Sequence, residues 1–210
     1  MGQQYHVRIH NQSDIDDQNL IVFQQQPDLP EDVQSLAWLS KMCHAGTSLD
    51  LYWTVDLNFV WGQESDLRLG VDYRAGQVVD ADLTAHNKVN LLYEDDGYKF
   101  GPVVAGPAHG EGSLFISQGP DVPGYGNKNQ GCVGIGMSRS GTFVVPTNMD
   151  GGGGIQFTVR PTYWIAWGSH APGIVVSQDI LRFPQMLQFP AGEFFADCRF
   201  NGRDWELSYQ

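Results

Sequence analysis

Between Ser48 and Trp61 the side chains keep a two-residue beat. Leu49, Leu51, Trp53, Val55, Leu57, Phe59 and Trp61 take the odd positions; Ser48, Asp50, Tyr52, Thr54, Asp56 and Asn58 take the even ones, and only Val60 breaks the pattern. Successive side chains of an extended chain point to opposite faces, so this stretch predicts a β-segment with one apolar and one wet face. A helix would scatter the same apolar residues around its whole circumference. The beat outlasts an average strand, which leaves two forms open: one long bent strand, or two strands split at a bulge.

Shorter versions of the same pattern recur along the chain. Residues 3–10, 20–25, 35–42, 67–73, 77–81, 88–93, 98–101, 113–116, 132–137, 142–145, 155–160, 163–168, 174–177, 186–189, 193–200 and 203–209 each read as a strand. The first two are expected to form an opening hairpin across the polar turn 11–17. Glu94-Asp95-Asp96-Gly97, Ser138-Arg139-Ser140-Gly141 and Asn201-Gly202 are hairpin turns by composition. Pro27 and Pro30 interrupt the pattern, and Asp28 or Asp32 is placed to cap a short helix through Val33 and Leu36, the alternative to the strand favoured for residues 35–42. Residues 101–112, 117–131 and 148–154 are rich in glycine or proline and read as surface loops. Many short strands, turn residues between them and no long helical period predict an all-β fold, an antiparallel β-sandwich with long glycine-rich loops. No fixed repeat suggests a propeller, and no shift in composition divides residues 1–210, so one domain is expected.

Composition agrees with a folded all-β chain and narrows its partners. The 210 residues carry a net charge of −12, with 17% charged and 12% aromatic residues. A surface of that sign repels phosphate backbones and anionic lipid, which argues against nucleic acid and membrane partners. No stretch is long and apolar enough for a membrane helix, and the N-terminus lacks the layout of a signal peptide. The default compartment is therefore cytoplasmic, unless a leader was removed or export takes another route. Asn11-Gln12-Ser13 is a formal glycosylation acceptor that matters only in a secretory setting. Cys43, Cys132 and Cys198 are three, widely spaced and outside any CxxC, so neither a disulfide framework nor a zinc site is read from them.

Candidate chemistry is sparse. Gly131-Cys132-Val133-Gly134-Ile135-Gly136 imitates a dinucleotide loop but lies inside an apolar strand, where glycines more often admit a neighbouring backbone or ring. Gly136-Met137-Ser138-Arg139-Ser140 lacks the final glycine of a nucleophile elbow. No nucleophile–base set, metal cluster or phosphate loop is legible, so no cofactor and no metal is expected. His6 and His10 share one strand face, with Asp14, Asp16 and Asp17 in the next loop, and His109 stands two residues from Glu111. The polar row Asp50, Tyr52, Thr54, Asp56, Asn58 is either plain hydrophilic cover or, under a loop, a recognition surface. Asp50 and Asp56 lie roughly 20 Å apart along an extended strand, too far for a glycosidase pair. Among the aromatics, Trp164, Trp167 and Tyr125, with His170 nearby, are candidates to stack on a sugar or flat ligand, although core packing is the commoner fate of such rings.

Ser35-Leu36-Ala37-Trp38-Leu39-Ser40-Lys41, His44, Gly46-Thr47, Tyr52-Trp53-Thr54-Val55-Asp56 and Phe59-Val60-Trp61 resemble the RhiA-like family, named for a rhizosphere-expressed protein of root-nodule bacteria, with similar proteins in other bacteria and fungi. Val133 to Ser138, Gly141 to Val145 and Tyr163-Trp164-Ile165 resemble its later blocks. The resemblance implies a stand-alone protein linked, in the root bacteria, to life near plants, and carries over no catalytic residue. The reading is thus a binding protein for a small molecule, glycan or protein partner, with Tyr52, Asp56, Tyr125, Trp164, Trp167 and His170 as candidate ligand contacts. Two alternatives stand beside it. One is an enzyme using Asp50 or Asp56 with a histidine such as His44; the other is a self-associating structural protein with exposed strand edges.

Overall fold

A computed structural model of the chain describes residues 3–25, 33–63, 66–107, 112–148, 153–159 and 162–210. The cap at Asp28 or Asp32 and the His109–Glu111 pair lie outside the described residues. Among the described residues seventeen strands follow in order: β1 (Gln4–Asn11), β2 (Asn19–Gln24), β3 (Gln34–Met42), β4 (Ser48–Thr54), β5 (Leu57–Gly62), β6 (Gln77–Asp80), β7 (Lys88–Glu94), β8 (Gly97–Phe100), β9 (Ser113–Gln118), β10 (Cys132–Met137), β11 (Ser140–Pro146), β12 (Gly154–Thr158), β13 (Tyr163–Gly168), β14 (Val175–Val176), β15 (Arg182–Leu187), β16 (Phe195–Phe200) and β17 (Trp205–Tyr209). The one helical turn among the described residues is a 3-10 turn, Gln178–Ile180.

The strands form one large sheet, β15-β13-β2-β3-β11-β10-β5-β6 with β14 beside β3, and two four-stranded sheets, β17-β16-β1-β4 and β12-β9-β7-β8. The fold is the expected all-β sandwich and not a closed barrel. Pairing is antiparallel except for β1 with β16 and β7 with β9, which run parallel.

One face of the large sheet supplies Leu57, Phe59 and Trp61 of β5, Val133, Ile135 and Met137 of β10, and Tyr163, Ile165 and Trp167 of β13 to a single core. Into the same core point Val7, Leu51 and Ala196 from one small sheet and Val89, Phe100 and Leu114 from the other. Rings knit the layers. Trp53 of β4 meets Tyr163 of β13 with centroids 5.0 Å apart, and Phe59 of β5 meets Phe100 of β8 at 6.2 Å. Full burial of a side chain such as Phe59 contributes roughly 1.5–3 kcal/mol. The opposite face of the large sheet is also covered: Val60, Cys132 and Val144 pack on Leu67, Tyr73 and Val175, and Ile21, Phe23 and Ala166 pack on Val176 and Leu181.

That second cover explains how the 48–61 stretch divides. β4 keeps the alternation, with Leu49, Leu51 and Trp53 buried and Tyr52 exposed. At Val55-Asp56 the chain leaves the small sheet and enters the large one as β5, buried on both faces, so Asn58 lies at 1% exposure instead of in the wet row. Two other expectations are corrected. β1 and β2 lie in different sheets and form no hairpin, and residues 67–73 form no strand, only a bridge from Asp72 to Ile174. The three turn predictions correspond to real hairpins, β7–β8, β10–β11 and β16–β17. Asp95, Asp96, Ser138 and Arg139 take the positive φ that tight hairpin turns require.

Candidate functional site

Where the chain crosses between sheets it opens a cleft of about 790 Å3, lined by Val55, Asp56 and Leu57, by Asp80 to Thr84, and by Ser138 and Arg139. Its parts are held by specific bonds. Ser138 Oγ donates to the Thr54 carbonyl (3.1 Å) and Ser138 N–H to the Asp56 carbonyl (2.9 Å), fixing the β10–β11 turn over the crossover. Buried Asn58 accepts the Arg139 N–H through Oδ1 at 3.1 Å. The Thr54 hydroxyl donates to Asp56 Oδ2.

Asp82 builds the far wall. Its Oδ1 accepts the N–H groups of Thr84, Ala85 and His86 and the Thr84 hydroxyl, while Oδ2 lies 2.7 Å from His86 Nδ1. The His86 side chain, then the backbone N–H donors, hold the Asp82 carboxyl well below the usual carboxylate range. Saturated in this way, Asp82 shapes the wall. Asp56, Asp80 and Arg139 also line the cleft, with Arg139 Nη1 3.9 Å from Asp80 Oδ1, beside the apolar patches of Val55, Leu57, Ala81 and Leu83.

A second polar assembly occupies the outer face of β17-β16-β1-β4. His6 Nε2 and Arg8 Nε lie 2.6 Å and 2.9 Å from Asp50 Oδ1. Partial burial pushes the Asp50 carboxyl up, but the bonds from His6 and Arg8 outweigh it and hold the group below its ordinary range. Tyr52 stacks on His6 with centroids 4.2 Å apart, and His6 sits against Phe195 at 4.6 Å. Farther along the same face, Ser48 Oγ lies 2.8 Å from His10 Nδ1, and His10 Nε2 lies 3.0 Å from Asp197 Oδ2.

The remaining candidates fall elsewhere. Trp167 is fully buried, stacked on Trp205 at 6.2 Å. Trp164 is half-buried on the other face of the same sheet, against Phe23. His170 is also half-buried, and its carbonyl accepts the Ser40 hydroxyl. Tyr125 is 82% exposed in the loop after β9. That loop is anchored from β11's end, where Thr147 Oγ1 donates to the Pro123 carbonyl and Asn148 Nδ2 to the Val122 carbonyl. His44 pairs with Asp16 on an exposed turn. Asp56 therefore belongs to the cleft, Asp50 and Tyr52 to the outer sheet face, and the aromatic candidates do not converge with either. Sequence reasoning missed Asp80, Asp82 and Arg139; the one signal available was Asp82 two residues before Thr84, the spacing of an Asx turn.

Among the described residues no set of three or more His, Cys, Asp or Glu side chains is gathered that would hold a metal ion, and no helix is long and apolar enough to cross a membrane. The fold and its cleft define the class: a β-sandwich with one large sheet backing two small ones and a recess at the strand crossover lined by apolar and charged side chains. The RhiA family model matches residues 2–209. The chain is 33% identical over 198 residues to Protein RhiA of Rhizobium leguminosarum bv. viciae, a match that spans 92% of this chain and 80% of that protein. The chain belongs to the RhiA family. No solved structure matches it.

Proposed function

We propose that this is a binding protein that takes a small polyhydroxylated ligand, a sugar or the end of a glycan, in the cleft between Asp56, Asp80 and Arg139. The observation that carries the reading is the juxtaposition of carboxylate acceptors and a guanidinium donor beside apolar walls, in a recess of about 790 Å3. Sugars offer that alternation: hydroxyls that both donate and accept, and C–H faces that pack on aliphatic side chains. The volume suits a small ligand, since such pockets run from roughly 300 to 1,000 Å3. The net charge of −12 disfavours a polyanionic ligand.

The test is a thermal-shift screen of neutral mono- and oligosaccharides. A ligand at a hundred times its Kd adds about 2.7 kcal/mol to stability. A saccharide should raise the melting temperature of the wild type, and Asp56→Asn and Arg139→Ala should abolish the shift while melting alone within a few degrees of wild type. If saccharides leave the wild-type melt unmoved, or both variants respond as wild type does, the reading fails.

A further inference from the structure

We infer that Ser48, His10 and Asp197 form a nucleophile–base–carboxylate relay that hydrolyses small acyl esters on the outer face of the β17-β16-β1-β4 sheet. This activity is independent of the cleft. The three residues come from adjacent strands, β4, β1 and β16, and project on one face. The register sets His10 opposite Ser48, and Asp197 one strand over, opposite Arg8. Neighbouring strands lie about 4.8 Å apart, so three such side chains line up across the sheet.

The bonds follow in line. Asp197 Oδ2 lies 3.0 Å from His10 Nε2, and His10 Nδ1 lies 2.8 Å from Ser48 Oγ. A carboxylate at Nε2 fixes the proton there and leaves Nδ1 as the acceptor for the serine hydroxyl, the arrangement that activates a serine in hydrolases, with the two ring nitrogens exchanged. Arg199 Nε stands 3.5 Å from Asp197 Oδ1, the oxygen that does not face His10. Asp197 side-chain exposure is 20% and that of His10 28%, whereas Ser48 is exposed and open to an acyl donor. The neighbouring His6–Asp50 pair has no such hydroxyl in line and has Arg8 on the same carboxylate oxygen.

The strand edge adds an oxyanion donor. Asn11 N–H bonds to the Thr47 carbonyl and Val55 N–H to the Gln3 carbonyl, which fixes the odd-numbered residues of β4 as those bonded to β1. The even-numbered residues then direct N–H and C=O away from β1. β4 is the last strand of its sheet, so the Ser48 N–H points to the open edge, next to its own Oγ. A nucleophile's own N–H serves as oxyanion donor in serine hydrolases.

In the reaction Ser48 Oγ attacks the ester carbonyl as its proton passes to His10 Nδ1. The C–O bond to the alcohol then breaks, and the alcohol departs with that proton. Water, deprotonated by His10, attacks the acyl-serine; the carboxylic acid leaves and Ser48 recovers its proton. Ester and water are consumed, and acid and alcohol are formed.

The test uses the full chain with 4-nitrophenyl acetate and an alkyl fluorophosphonate probe. The wild type should turn over the ester about a hundredfold or more faster than Ser48→Ala, which leaves His10 no nucleophile to activate. Mass spectrometry should find the phosphonate on the peptide carrying Ser48. Asp197→Asn, which acts through His10, should lower kcat and leave KM unchanged. Ser48 is exposed, so Ser48→Ala keeps the wild-type melt and circular dichroism spectrum. Hydrolysis by Ser48→Ala at the wild-type rate, or a wild type that the fluorophosphonate leaves unlabelled at Ser48, overturns the inference.

Discussion

Ser138 Oγ donates to the carbonyl of Thr54 at 3.1 Å, tying a hairpin turn of the large sheet to the last residue of an edge strand in a small one. The two layers are thus joined by a polar bond at the place where the chain itself passes between them, and the cleft depends on that joint.

Asn58 is the buried half of the same joint. Its Oδ1 accepts the Arg139 N–H, and its Nδ2 reaches the Ser140 carbonyl at 3.5 Å. Asn58→Leu removes both partners and leaves the Arg139 N–H without its acceptor. The expected loss in urea unfolding is about 1–3 kcal/mol, with weaker ligand-dependent stabilisation because Arg139 is no longer held.

Gly134 and Gly136 let β11 approach β10. A Cβ at Gly134 would stand 1.9 Å from the Phe143 carbonyl oxygen, and one at Gly136 1.7 Å from that of Ser140. Both obstacles are backbone, so no side chain can swing away. Gly134→Ala is expected to cost more than about 3 kcal/mol, at the severe end for single substitutions. Gly119→Ala, with nothing within 4 Å, should fall within about 0.5 kcal/mol of wild type. Denaturant midpoints of the two variants check the contrast.

Acid stability should depend on Asp82 and Asp50. Both carboxyls lie below their ordinary range in the folded state, so the unfolded chain takes up protons first. Their stabilisation is complete above the ordinary carboxylate pKa of about 4 and drains away as pH falls through the lower folded values. Urea midpoints should therefore drop on acidification below about pH 4. Asp82→Asn should start lower at neutral pH and lose less on the way down. An acid limb as steep as wild type's in that variant would dissociate Asp82 from the effect.

The three thiols should be silent in the native protein. Cys43, Cys132 and Cys198 are all buried. Burial first, and the nearby Asp197 charge second, push the Cys198 thiol up to about 12; burial also raises Cys43. Because the thiolate is the reactive form, a disulfide reagent at mildly alkaline pH should titrate the thiols only after denaturant is added. Prompt native reaction would contradict the packing.

The strands themselves were legible because burial on one face writes a period of two into β1, β4 and β17. What the sequence concealed was partnership. Asn58 looks like a member of the wet row, yet Leu67 and Tyr73, which cover that face of the large sheet, come from a separate loop. Glycine alternation in β10 correctly pointed to close approach, and here the neighbour is backbone. The cleft gathers Asp56, Asp80 and Arg139 from three segments, and Ser48, His10 and Asp197 come together only through strand register. Local spacing contains neither fact. Trp167 shows the reverse difficulty: a strand with aromatics on both faces does not announce which ring meets solvent, and a second cover on the large sheet leaves neither ring fully open.

The parallel pairing of β1 with β16 bears on how the molecule is made. His6 finds Phe195 and Asn11 finds Phe200, so β1 must wait for a strand made much later in synthesis before one of its flanks is closed. Such distant pairing slows folding, and in the interval the bare flank of β1 is open to other chains. A truncation just before Phe195 would make that interval permanent and turn a well-behaved product into an aggregating one.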